Sequence, residues 1–347
     1  SMNSLPLISF IVNRKKYKEF IKYSISMQNQ LYYTRFGTRK DKRTMDRTLS
    51  YTIEAADDGE NVGEYLRHHG YSQPLLIHLK KTQEGILLNG IWCYVNSILH
   101  TGDILTIHIQ DHDGSTGIPA TEISEEAFTS MVAYEDEDIL VMNKPADLPV
   151  HPSLGHYEDT LANYCAWHYH NQLVFRCVNR LDRDTSGLVL IAKNMLSAAG
   201  LSLQQQAREI HRTYLSIVEG IIPEEGTIDL PIARKEDSII ERCVDGSRGE
   251  CAITHYRRIS TTCLDGCEYS LVQIQLETGR THQIRVHMKA IGHPLPGDFL
   301  YNPNYRHIKR QALHSYRLEF THPISGKTLS FTQNIPSDFE SLFPKIQ

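Results

Sequence analysis

The chain has 347 residues, 40% hydrophobic and 22% charged, with a formal net charge of −5. That length supports two domains with real cores, and no run approaches the roughly 20 apolar residues that span a bilayer. Seven cysteines without a regular framework argue against a disulfide scaffold and for a reducing, cytoplasmic setting.

Residues 1–50 are basic and tyrosine-containing, with no clean helical or strand period. Residues 1–47 hold 11 Lys/Arg and 3 Asp/Glu, a local +8 that leaves −13 for the remainder. A flexible extension is expected here. Its start does not read as secretory, because the apolar stretch Leu5 to Val12 is followed rather than preceded by basic residues. A compact unit is expected over 51–112. Val62, Tyr65 and Leu66 share one helical face, and Leu75, Leu76 and Leu79 repeat the spacing in a second helix. Ile86 to Leu88 then reads as a short strand entering an Asn89-Gly90 hairpin turn, and Ile104 to Ile109 as a closing strand. Gln110 to Ser130, polar and broken by Gly114, Gly117 and Pro119, reads as a linker, with its central part over 113–130.

The rest, 131–347, mixes strand-like runs with short helices. Ile139 to Met142, Leu188 to Ala192 and Tyr269 to Leu276 read as strands, and Ser197 to Ala207 as a helix. The order of elements predicts an α+β fold rather than regular βαβ alternation. Along Tyr214 to Val218, Tyr214, Ser216 and Val218 fall on one strand face, Leu215 and Ile217 on the other. Ile284, Met288 and Ile291 are spaced for one helical face, before Gly292 and Pro294 end the helix. Arg285 falls on a different face, free to meet a neighbouring loop or simply to be solvated.

Between two apolar runs, Arg180, Asp182, Arg183, Asp184, Thr185, Ser186 and Gly187 crowd charge and turn formers into one loop. A carboxylate held there beside arginines suits nucleophilic or acid–base work, or forms a loop salt bridge. The stretch Asn179 to Asn194, NRLDRDTSGLVLIAKN, resembles the signature of the RluA/RluD family of RNA pseudouridine synthases. Four more segments match that family in order: Asp138 to Ser153, Glu209 to Gly220, Glu277 to Tyr301 and Leu313 to Phe331. The resemblance runs from about residue 131 to the end. The unit at 51–112 in turn resembles the S4-type RNA-binding domain that precedes many catalytic domains of this family.

The resemblance implies a central, mainly antiparallel sheet with the active site in its cleft. It implies that Asp182 is the nucleophile, that Arg285 pairs with it, and that Tyr214 stacks on the uracil and takes part in proton removal. A buried structural tyrosine is the plain alternative for Tyr214. Arg180, Arg183, Thr185, Arg280, His282 and Gln283 are expected to bind substrate, with Arg180 helping to displace the target nucleotide. Two positions depart from the family pattern: Asn179 stands where histidine is common, and Arg212 where lysine is frequent. Both changes put substrate contacts in question more than catalysis.

Isomerising uridine needs no redox change or energy input, so neither cofactor nor metal is expected. The HExxH and clustered Cys/His spacings of zinc enzymes are absent, and Cys263 with Cys267 makes too weak a pattern. Large-subunit ribosomal RNA is the expected partner and transfer RNA the alternative, with no membrane partner and a monomeric chain. A binding protein that has kept the fold, and a two-carboxylate glycoside hydrolase, are the competing classes. For the second, Asp182 has no companion acid in a matching motif.

Overall fold

The computed structural model describes residues 46–111, 117–153 and 155–344; the extension expected at the N-terminus lies outside them up to residue 45. The first unit is a four-stranded sheet with two helices. Its strands are β1 (Arg47–Thr52), β2 (Ile86–Leu88), β3 (Ile91–Trp92) and β4 (Ile104–Ile109), in the order β1-β4-β2-β3. Asn89 and Gly90 both take positive φ, 52° and 79°, which matches the strand twist and closes the tight hairpin between β2 and β3. Helices Val62–His68 and Gln73–Lys81 bury Tyr65, Leu66, Leu75, Leu76 and Leu79 against the sheet. Asn61 and Ser72 cap them by accepting from the backbone N–H of Glu64 and Leu75. β1 starts at Arg47, within the expected extension, because Leu49 and Tyr51 alternate inward onto this core.

The second part, from about residue 125 onward, is built on a ten-stranded sheet. Its strands are β5 (Val132–Glu135), β6 (Ile139–Lys144), β7 (Arg176–Cys177), β8 (Ser186–Ala192), β9 (His211–Glu219), β10 (Glu225–Asp229), β13 (Ile253–Leu264), β14 (Cys267–Leu276), β15 (Leu313–Thr321) and β16 (Thr328–Thr332). A separate hairpin, β11 (Ile232–Arg234) with β12 (Arg242–Val244), branches off between β10 and β13. The main path is β10-β13-β14-β9-β15-β8-β6-β5, with β16 on β15 and β7 on β8. Every pairing is antiparallel except β8 with β15, so the α+β expectation and the mainly antiparallel sheet both hold. The β13–β14 hairpin turns at Asp265-Gly266, where both φ values are positive, and the Cys263–Cys267 pair is simply its rim.

One face carries helices Leu161–His168 and Gln283–Ala290 over a core of Leu140, Met142, Val189, Tyr214, Ile274, Ile284 and Met288. The other carries Met195–Gln206 over Ile139, Val141, Leu188, Leu190 and Leu318. The faces of β9 separate as its alternation predicts: Tyr214 and Val218 join the first core, Leu215 and Ile217 a third beside Phe339. Residues Glu125–Met131 correct the linker reading. Capped by Ser124, they form a helix that buries Phe128 and Met131 in the first core, a period of three hidden among polar neighbours. Among the described residues no helix is long and apolar enough to cross a membrane.

Candidate active site

The register lines up one row across the sheet: Lys144 of β6 opposite Gly187 of β8, Gly187 beside Ser315 of β15, and Ser315 opposite Tyr214 of β9. Gly187, with φ +110°, lies so near Ser315 that a Cβ would overlap the Ser315 carbonyl. Only glycine permits β15 to close on β8 here, and this contact sets the loop carrying Asp182 at the mouth of the row.

That loop is held at its base and along its backbone. The Asn179 side chain donates to the Leu188 carbonyl at 3.0 Å and accepts the Leu190 N–H at 2.7 Å. Asn179 is buried, so at this departure from the family pattern the side chain acts as a structural clamp on β8. Lys144, fully buried, donates to the carbonyls of Pro145, Leu148 and Arg183 at 2.8, 2.7 and 2.8 Å. Its three N–H bonds match three acceptors. Burial lowers its ammonium pKa to about 7, against the raising charges of Asp182 and Asp184. Arg310 donates to the Asp184 carbonyl, and Gln311 to the Thr185 hydroxyl.

Within this frame Asp182 accepts a hydrogen bond from Arg285 Nη1 at 2.8 Å, while its side chain keeps 29% exposure. Arg285 is almost wholly buried, with its aliphatic stem and guanidinium enclosed. Its Nε and Nη2 both donate to Asp298, each at 2.7 Å, and Asp298 is itself fully buried. The guanidinium lies 4.9 Å from the Tyr301 ring centroid and 5.6 Å from that of Phe299. Burial on its own would raise the Asp182 carboxyl. The charges of His282 and Arg285, with hydrogen bonds from Arg285 and Gln311, outweigh it and hold the group below the usual carboxylate range. Burial also lowers His282, so at neutral pH Arg285 supplies the lasting charge.

His282 precedes its helix in a left-handed conformation, φ 57°. Its Nδ1 shares a hydrogen bond with the Tyr301 hydroxyl at 2.9 Å, which aims Nε2 to 4.0 Å from Asp182. Tyr214 is buried on the same side of the sheet. Burial raises its phenol above the ordinary range; Asp182 adds to this, while Arg212, hydrogen-bonded to it, opposes. The phenol is therefore neutral at pH 7.

The other expected substrate ligands divide. Arg180 is exposed, and its charge adds to the burial that depresses His151. Arg183 is half-exposed and pairs with Asp184 at 2.9 Å and Asp147 at 3.5 Å. Arg280 reaches away to Glu250 and the Cys251 carbonyl. Thr185 and Gln283 are both buried and engaged within the protein. Thr185 is buried under Gln311. The buried Gln283 amide accepts from the Thr278 hydroxyl and the Arg280 N–H, and donates to the Ile253 carbonyl and the Thr254 hydroxyl. With its hydrogen-bonding capacity filled, it braces the turn before His282. Sequence reasoning missed Asp298 and Gln311. A Gly-Asp turn after the Arg285 helix was the one available signal for the first.

A partly exposed carboxylate, clamped by a buried guanidinium at the mouth of a mixed sheet, is a candidate active site. The sequence profile of the RNA pseudouridylate synthase family matches residues 138–290. The chain is 38% identical to YjbO, an uncharacterized RNA pseudouridine synthase of Bacillus subtilis, over 81% of this chain and 97% of that one. It is 42% identical to ribosomal large subunit pseudouridine synthase D of Zymomonas mobilis, over 61% of this chain and 71% of that one. Human RNA pseudouridylate synthase domain containing 1 superposes with a TM-score of 0.51 at 27% identity, covering 59% of this chain and 83% of that one. The chain belongs to the RNA pseudouridine synthases and is an enzyme of that class.

Proposed function

We propose that this chain isomerises particular uridines of large-subunit ribosomal RNA in the cytoplasm, with Asp182 as nucleophile. The observation that carries the reading is the 2.8 Å contact between Arg285 and an Asp182 carboxylate that keeps 29% of its surface open. Burial would otherwise favour a neutral acid; the buried cation keeps an anionic oxygen ready at neutral pH. The ribosomal target rests on relatives named ribosomal large subunit pseudouridine synthase D. The first unit acts as the S4-type RNA-binding domain.

In the reaction the uridine is extruded from its stack, and an Asp182 oxygen bonds to the nucleoside as the N1–C1′ bond breaks. The base turns, C5 bonds to C1′ as the bond to Asp182 is released, and the proton lost from C5 is balanced by one taken up at N1. The neutral Tyr214 phenol stacks on the uracil and holds the detached base. Its raised pKa makes stacking its main part and proton removal secondary. The exposed Arg180 fills the gap left by the extruded nucleotide. A glycosidase reading has no support, because the neighbouring carboxylate Asp298 is fully buried on the same guanidinium and faces no sugar.

The test is a pseudouridine map of total RNA from a deletion strain, complemented with wild type or Asp182→Ala. Wild type alone should restore the missing sites, and they should lie in large-subunit ribosomal RNA. Equal restoration by both would make the chain a binding protein; restoration in transfer RNA would move the target.

A further inference from the structure

Phe299 is a large aromatic side chain left 46% exposed on a turn whose other residues point inward. Asp298, before it, is buried on Arg285 and accepts the backbone N–H of Leu300 and Tyr301. Gly297, with φ +72°, lies so near Arg310 that a Cβ would overlap its carbonyl. The turn is fixed, and the ring cannot fold away into the core. A solitary exposed apolar residue is ordinary, but this one has two guanidinium neighbours. Arg285 Cζ lies 5.6 Å from its centroid and Arg183 Cζ 5.7 Å. Arg183 is half-exposed and belongs to the same loop as Asp182.

A ring left 46% exposed beside a half-exposed guanidinium, near the carboxylate where the uridine is proposed to enter, has the make-up of a stacking platform. The ring receives a base, and the cation serves the adjoining phosphates. Extruding the target uridine leaves its neighbour without a stacking partner, which such a platform replaces. We propose that Phe299, with Arg183 beside it, is a substrate-binding subsite for the unpaired nucleobase next to the target uridine. The inference rests on the reading that the uridine enters at Asp182.

The experiment uses a short RNA around whichever uridine the deletion-strain map assigns, with 2-aminopurine as the adjoining base. A wrong ribosomal target then shows in the map, and a wrong platform shows in the variants. Phe299→Ala should raise KM and Kd for this RNA roughly 10-fold, within what aromatic stacking contributes per base. It should abolish the fluorescence quench of the 2-aminopurine and change kcat by less than about twofold. Phe299→Tyr should restore all three. If Phe299→Ala instead lowers the single-turnover rate at saturating RNA with KM and quench unchanged, the ring only shields the Arg285 pair and the proposal is overturned. No change in any of them overturns it equally.

Discussion

The two parts of the molecule are held together by different physics. Among the described residues of the first unit the core is apolar apart from a Tyr51–Tyr71 hydroxyl pair, and its one buried charge, Asp111, pairs outward with Arg176. The catalytic part buries Lys144, Arg285 and Asp298, with Gln283, His287, Gln311 and His314. Apolar burial is non-directional and tolerant of small shifts, whereas buried charge is stable only with good geometry and filled hydrogen bonds. The first arrangement makes a fold; the second fixes where one oxygen sits. The first unit also carries four Lys/Arg against nine Asp/Glu over 46–111. If this unit contacts RNA as proposed, that balance requires local contacts, at side chains such as Arg67, Lys80 and Lys81, and not a general field.

The largest expected effect breaks this contrast at both ends. Asp298→Ala removes two of the three hydrogen bonds on the Arg285 guanidinium and strands a buried cation, at a cost of about 3–5 kcal/mol. Turnover should fall at least as far, because Arg285 then loses the aim that keeps Asp182 ionised. Leu76→Ala in the first unit should cost about 2–5 kcal/mol of that unit's stability yet leave turnover at saturating RNA in place. Chemical denaturation and single-turnover kinetics on both variants decide it. Equal loss of turnover in the two would mean that the units are one cooperative body and the contrast is false.

Much of the contrast was legible in the sequence, and the reason differs by region. The helices at 62–68 and 73–81, the Asn89-Gly90 turn and the two faces of β9 follow from local period and turn chemistry. The Asp182–Arg285 pairing joins residues 103 apart. No spacing rule predicts such a pair, and it came from resemblance alone. Asp298, Gln311 and the three carbonyls on Lys144 stayed hidden because each gains its role only when distant turns meet. Thr185 and Gln283, lying inside the motif, turn out to be buried and hydrogen-bonded within the protein, and sequence position alone does not reveal such bracing.

A pH series sharpens the same comparison at intermediate size. His314 is buried with its Nδ1 on the Ser186 hydroxyl, beside Arg310 and Asp338. Burial and then the Arg310 charge lower its pKa to about 4, with Asp338 and a backbone hydrogen bond to Asn334 opposing. The unfolded imidazole, near the ordinary 6.5, takes its proton first as pH falls. The stability is therefore complete above about pH 6.5 and is lost toward pH 4, by up to about 1.4 kcal/mol per pH unit. Urea unfolding at pH 7, 6 and 5 should show this for wild type and a shallower decline for His314→Gln. Parallel declines would assign the acid sensitivity to other groups.

The smallest effect tests how the two parts meet. Arg47 on β1 donates from Nε and Nη2 to Asp138 at 2.9 and 3.1 Å, and pairs with Glu137 at 2.9 Å. Asp138, at the entrance to β6, is buried and also accepts from Asn194 at 2.9 Å. Leu196 of the catalytic part packs into the first unit's core. Arg47→Ala therefore leaves Asp138 with one side-chain partner and the apolar contact intact, and should cost about 1–2 kcal/mol. The loss should fall on the junction rather than on either core. Hydrogen exchange should quicken along β1 and β4, while protection across β8, β9 and β15 and turnover at saturating RNA stay as in wild type. Faster exchange spread evenly over both sheets would show that Arg47 supports the whole molecule and not the joint between its parts.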